Sequence, residues 1–304
     1  MSRIQDKYIS PFTDFGFKKL FGTEPNKDLL IDFLNELLKQ DEGKIIDLSF
    51  LPKEQLGRID EDRRAIFDIY CENEQGEKFI VELQKAKQNY FKDRSIYYST
   101  FPIQSQAKKG KWNFQLKSVY TIGILDFVFD EDKDDPDVYH HEVQLFDKTT
   151  NKVFYNKLHY IYLEMPKFKK TEEQLSNHYD KWLYVLKNLE DLTRRPARLQ
   201  ERVFKKLFKQ AEIANYSDTE YAEYEESLKH YRDLKNCIDS SFDDGKIEGK
   251  IEGEIKGEIK GRNEEKKETA LNLHKLGFEF KIISQATGLS MEKIKEIIKN
   301  SEQK

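Results

Sequence analysis

Three side chains, Asp68, Glu82 and Gln84, lie on two short apolar stretches whose spacing would suit metal-assisted hydrolysis. The stretches are Ala65 to Cys71 (AIFDIYC) and Lys78 to Gln84 (KFIVELQ), separated by the polar ENEQGE with its single glycine. Rich in β-branched and aromatic residues and joined by a turn, they predict a hairpin. Alternate strand residues share a face, so Glu82 and Gln84 point together and Asp68 can meet them across the pair. Two carboxylates beside Ile66, Ile69, Ile80 and Val81 repel, and a cation between them lets both stay ionised. Oxygen donors suit a hard divalent ion: magnesium first, with manganese or calcium as substitutes. Magnesium takes one or two carboxylates and keeps positions for water and a phosphate oxygen. The same residues also fit a solvent-facing hairpin whose acids keep it soluble.

The elements that must hold these residues alternate between helical and extended patterns. They predict an α/β (α+β) core, a mixed sheet of about five strands flanked by helices. Asp28 to Lys39 sets Leu29, Leu30, Phe33, Leu34, Leu37 and Leu38 on one helical face, with Asn26 as the expected cap. Further strands are expected at 118–129, 140–146 and 158–165. From 171 to 241 the period is helical, with Trp182, Leu183, Val185, Leu186 and Leu189 in one segment and Val203, Phe204, Leu207 and Phe208 in the next. The chain thus divides into a core at 1–170, a helical extension packed on it at 171–244, and a tail at 245–304.

The tail opens on a four-residue repeat, GKIE-GKIE-GEIK-GEIK, with Gly at 245, 249, 253, 257 and 261 and Ile at 247, 251, 255 and 259. Five glycines cost a helix roughly 5 kcal/mol relative to alanine. The strongly helical flank at 263–276 still favours a helix, formed when the repeat self-associates and frayed otherwise. A homo-oligomer through this segment is therefore expected. Beyond it, KIISQATGLSMEKIKEII reads as two helices about a turn at Thr287 to Ser290. Ile283, Leu289, Ile294 and Ile297 are spaced for a helix-turn-helix, with Lys293, Lys295 and Lys299 along the second helix. Two helices lack a third to close a core, which favours assembly over DNA reading for this piece.

Bulk composition narrows the classes. With 304 residues, 38% hydrophobic and 36% charged, the chain can bury the core of one large domain plus an appendage. No apolar run approaches the ~18 residues of a membrane span, and no leader pattern opens the sequence. Cys71 and Cys237 are far apart and match no metal or redox spacing, which suits a reducing, cytoplasmic setting. The six histidines show no zinc-ligand spacing, and the pair His140 and His141 receives no catalytic role. A net charge of -4 offers no general attraction to nucleic acid, so any phosphate-binding surface must be local.

The segment FDIYCENEQGEKFIVELQ resembles the core of the PD-(D/E)xK nuclease superfamily, and within it the recombination-promoting nucleases, also described as nuclease-family transposases. TDFGFKKLFG, Gln88 with FKDRSIYY, VYTIGILDF, LEMPKF and the Gly/Glu tail follow that family's order, so the likeness spans nearly the whole chain. It implies a restriction-endonuclease-like core. It also implies a magnesium-dependent endonuclease that hydrolyses phosphodiester bonds of double-stranded DNA in recombination or transposase-like rearrangement. In that pattern Asp68 and Glu82 are the metal ligands, Gln84 stands where the superfamily usually has lysine, and Phe67 replaces its proline. The family shares this glutamine, which can form hydrogen bonds but carries no charge to orient water or offset developing negative charge. Lys85 falls on the opposite face of a strand and offers no replacement. The missing lysine keeps a second function open, a non-catalytic DNA-binding or scaffolding protein on a degenerate nuclease fold. The resemblance also makes Asp14 a candidate further catalytic acid; its other reading is the N-cap of FGFKKLFG.

Contacts to DNA have three kinds of candidate. The planar fork of Arg94 could clamp a phosphate, or pair with surface acids. Lys108, Lys109 and Lys111 beside Trp112 could follow a DNA backbone, or form a solvated loop. Lys167 in the MPKF stretch is of the same kind. Tyr97 and Tyr98 fit a core better than a base-stacking platform.

Overall fold

The computed structural model describes residues 6–38, 44–55, 65–107, 110 and 112–302. The chain forms two compact units, Met1–Lys235 and Asn236–Lys304.

In the first unit, Thr13 caps α1 (Asp14–Phe21) by accepting from the Gly16 N–H, so Asp14 is the first helical residue and not the cap. The amphipathic α2 (Lys27–Leu38) follows the expected face, burying Leu29, Leu30, Phe33, Leu34 and Leu37. Asn26 does not cap it; its amide donates to the Lys19 carbonyl, tying the two helices at 2.8 Å. The strands are β1 (Leu48–Phe50), β2 (Glu54–Gln55), β3 (Ala65–Ile66), β4 (Ile69–Asn73) and β5 (Lys78–Gln84). Next come α3 (Phe91–Ser105), β6 (Val119–Leu125), β7 (His140–Asp147) and β8 (Lys152–Glu164). After them lie α4 (His178–Asn188), α5 (Arg202–Ala211) and α6 (Asp218–Lys275), whose first turns belong to this unit.

Six strands form one mixed sheet in the order β1-β4-β5-β6-β8-β7, one more than expected, and β2 pairs with β3 apart from it. The β4–β5 hairpin is antiparallel, β5–β6 and β6–β8 are parallel, and β7–β8 is antiparallel. One face of the sheet, with Phe79, Val81, Ile122, Ile124, Ile161 and Leu163, packs on α1, α2, α4, α5 and the start of α6. This is why 171 onward reads as an apolar-striped helical extension. The other face is covered by α3, which is held by small polar residues: Ser95 and Ser99 meet the hydroxyls of Tyr162 and Tyr160 at 2.6 and 2.8 Å. Parallel neighbours align Glu82 with Gly123 and Tyr162, and Gln84 with Leu125 and Glu164, so all six share the α3 face.

In the second unit the glycine repeat is helical within α6, and a Cβ added at any of its five glycines would meet nothing within 4 Å. The last turns of α6 pack with α7 (Phe280–Thr287) and α8 (Met291–Glu302), where Ala270, Ile283, Ile294 and Ile298 form a small core. The third helix that the tail seemed to lack is thus the end of α6. Gly288, with φ +68°, makes the turn, and the Ser290 hydroxyl accepts from the Lys293 N–H at the start of α8.

Candidate active site

β4 begins at Ile69, so the residue before it, Asp68, lies just beyond the ladder and opposite Glu82. The Leu83 N–H has no β4 residue to pair with there, and the Asp68 carboxylate accepts it at 2.8 Å. In return the Asp68 N–H donates to the Glu82 carboxylate at 3.3 Å. The two acids are therefore locked across the open end of the hairpin, the Glu82 carboxylate on the Asp68 N–H and the Asp68 carboxylate on the Leu83 N–H. Each spends one oxygen on this lock, and the second oxygen of each has no hydrogen-bond partner among the described residues.

Burial pushes the Asp68 carboxyl above its ordinary range, and the charge of Asp14 adds to it. Burial first and then the charge of Asp68 push Glu82 up to about 8. Arg94 and Lys18 act against this on Glu82, yet neither is in salt-bridge contact with it. An electrostatic demand for a nearby cation thus remains.

Gln84 is buried and engaged: its amide donates to the Ala86 carbonyl at 3.0 Å, and its carbonyl accepts from the Arg94 guanidinium. Arg94 also donates to Gln88 and sits over the Tyr98 ring. Among the described residues it forms no salt bridge with an acid; it holds the glutamine of the motif. Asp14 is exposed and pairs with Lys18 one turn on, at 2.8 Å. It lines a cavity of about 630 Å³ with Lys18 and Lys85, walled on the far side by Glu220, Glu223 and Glu226 of α6.

Lys85 lies on the α1 side, the face opposite Gln84 that strand alternation assigned it, and still comes near the acids. β5 stops at Gln84, and at that end Lys85 comes under the field of both Asp14 and Asp68. Burial lowers its affinity for a proton, and among the described residues it has no hydrogen bond or salt bridge. Lys53 stands in the field of the same two acids and is also shifted down by burial. The sequence offered no signal for Lys18 or Lys53, because neither lies near the motif in the chain.

The family model of the PD-(D/E)XK nuclease family transposases matches residues 11–241. The chain belongs to that family. No curated protein and no solved structure was found to match it.

A second polar cluster lies on the α3 face of this family member. Asp132, His141 and Glu164 bring one ligand atom each to within 4.8 Å of one another and can hold a metal ion. Three separate segments supply them, which is why histidine spacing did not reveal the group. Together with the family, the cluster supports nuclease, and so hydrolase, activity in general. It already contains a cation, however. Lys167 is buried and lies 2.7 Å from Glu164, donating also to the carbonyls of Asp132 and Val138. The Phe129 N–H donates to the other Glu164 oxygen at 2.6 Å. The ammonium group that the sequence offered as a DNA contact is thus engaged within the protein. Lys108, Lys109 and Lys111 lie outside the described residues. Tyr98 packs against Phe67, as its core reading required, and Tyr97 is partly exposed. No helix among the described residues is long and apolar enough to cross a membrane.

Proposed function

We propose that this chain is a magnesium-dependent endonuclease that hydrolyses phosphodiester bonds of duplex DNA at Asp68 and Glu82, in recombination or transposase-like rearrangement. The supporting observation is the pair of facing carboxyls, each locked by one oxygen, each with the other oxygen unpartnered among the described residues, and both raised in proton affinity by burial. Such a donor set fits magnesium, which needs few carboxylates. When bound, the ion supplies positive charge to a phosphate oxygen and lets both acids ionise.

The rest is the work of the chain's own residues. Lys85, Lys18 and Lys53 surround Asp68 with positive charge on the α1 side and can attract a phosphate to the cavity mouth. In this reading Lys85 supplies the charge that the superfamily's lysine would carry at position 84. Arg94 fixes Gln84, whose remaining amide hydrogen can orient a water beside Glu82. Asp14 is the outer acid that keeps Lys18 in place.

The test is nicking of supercoiled plasmid with and without magnesium by the parent, Asp68→Asn, Glu82→Gln and His141→Ala. The first two substitutions should each lower magnesium-dependent cutting about 100-fold or more, and His141→Ala should not. Loss of cutting in His141→Ala alone would move the centre to the Asp132 cluster. Absence of cutting by the parent with any divalent metal, while it still binds DNA, would favour the non-catalytic reading.

A further inference from the structure

The repeat in α6 has a charge pattern that a lone helix does not explain. Residues four apart on a helix lie in one row, so the repeat builds four rows: glycine, isoleucine, and two charged rows flanking the isoleucines. One charged row reads Lys246, Lys250, Glu254, Glu258; the other reads Glu248, Glu252, Lys256, Lys260. Both rows change sign halfway, where GKIE becomes GEIK. Within one helix this places like charges at i,i+4 four times, as at Lys246 and Lys250 or Glu254 and Glu258. Opposite charges meet within the repeat only at its centre, Lys250 with Glu254 at 3.9 Å and Glu252 with Lys256 at 2.6 Å. Glycine every fourth residue weakens the helix further. Meanwhile Ile247, Ile251, Ile255 and Ile259 are each more than half exposed.

We propose that this face binds a second copy of the same chain, the two helices running antiparallel and crossing near Gly253. An i,i+4 ridge of isoleucines interdigitates with an identical ridge at an angle near -50°, so contact is confined to a few turns about the crossing, the length of this repeat. About such a two-fold axis each charged row faces itself reversed. Lys246 then meets Glu258 and Lys250 meets Glu254 on one flank, while Glu248 meets Lys260 and Glu252 meets Lys256 on the other. The sign change is what makes this arrangement complementary. Four copies of GKIE would set lysine against lysine and glutamate against glutamate when antiparallel. A parallel pair would be complementary without any change of sign, since each row then faces the other row.

Two full-length variants separate these cases. The first carries Glu254→Lys, Lys256→Glu, Glu258→Lys and Lys260→Glu; the second carries Lys246→Glu, Glu248→Lys, Lys250→Glu and Glu252→Lys. Mass is read by light scattering across a concentration series, with circular dichroism alongside. The parent should have twice the mass of one chain. Each variant alone should lose dimer by about tenfold or more in dissociation constant, and an equal mixture should recover it, which also shows that neither variant has simply frayed. A monomeric parent overturns the proposal. So do variants that each dimerise alone, as a parallel pair requires.

Discussion

Glu82→Gln offers a test of the site that needs no DNA. Burial and Asp68 raise the Glu82 carboxyl from its ordinary 4.5 to about 8, so the folded chain holds a proton that the unfolded chain has released. Stability from this source is complete below about pH 4.5, declines as pH rises, and is lost above about pH 8. At about 1.4 kcal/mol per pH unit over that window, the loss is roughly 5 kcal/mol, an upper figure because water and side-chain relaxation recover part of it. Glutamine does not titrate, and its carbonyl can still accept from the Asp68 N–H. Urea unfolding, followed by the fluorescence of the buried Trp182, should be measured from pH 5 to 9 in a chelator. The parent should lose several kcal/mol more than Glu82→Gln over that range. Magnesium should restore most of the difference to the parent at pH 9 and little to the variant, because an ion then takes the place of the proton. Equal pH slopes for the two proteins would refute the reasoning, since Glu82 would then be ionised without help.

Three further outcomes follow from single contacts. Lys85→Ala should lower magnesium-dependent nicking about tenfold while leaving magnesium affinity, measured by calorimetry, unchanged or tighter. Lys167→Met leaves the fully buried Glu164 without its cation and should cost about 3 to 5 kcal/mol in urea unfolding at pH 7. Gly16→Ala would place a Cβ 2.1 Å from the Ser10 carbonyl oxygen and 2.7 Å from the Thr13 hydroxyl. It should cost on the order of 3 kcal/mol, seen as a fall in melting temperature.

What the sequence revealed divides by the range of the interaction. The hairpin was legible because alternation and a turn glycine act within a few residues, and the pairing of Ile69 with Val81 puts Asp68 opposite Glu82 as the spacing required. The leucine face of α2 was legible for the same reason. The cap reading offered as the alternative for Asp14 falls one residue away, because Thr13 and Asp14 are both good caps and only the bond to the Gly16 N–H decides between them. Strand β8 was expected to begin at 158, but it starts at Lys152, where β7 pairs with it. That pairing gives partners to an exposed stretch with no buried period to announce it. Lys53, Lys18 and the Asp132 cluster stayed hidden because segments far apart in the chain bring them together. The fate of Lys167 was hidden too, since nothing local distinguishes a lysine that follows a phosphate backbone from one sealed against Glu164.

The glutamine at position 84 bears most directly on whether the fold still cuts DNA. A lysine there would share the α3 face with Glu82 and bring one charge to it. In this chain Arg94 reaches the same position from α3, while Lys85 approaches Asp68 from the α1 side. The positive charge around the two acids is therefore divided between two elements rather than missing. A guanidinium is a hydrogen-bond donor with no acceptor, so Arg94 can stabilise charge but is no base for water. Water is then deprotonated without help from position 84; replacing Gln84 by Glu should tighten the Arg94 contact and lose the bond to the Ala86 carbonyl, while Gln84→Lys should set two cations against each other. Gln84→Lys losing activity and Lys85→Ala, Gln84→Lys recovering part of it would show that the two positions share one role.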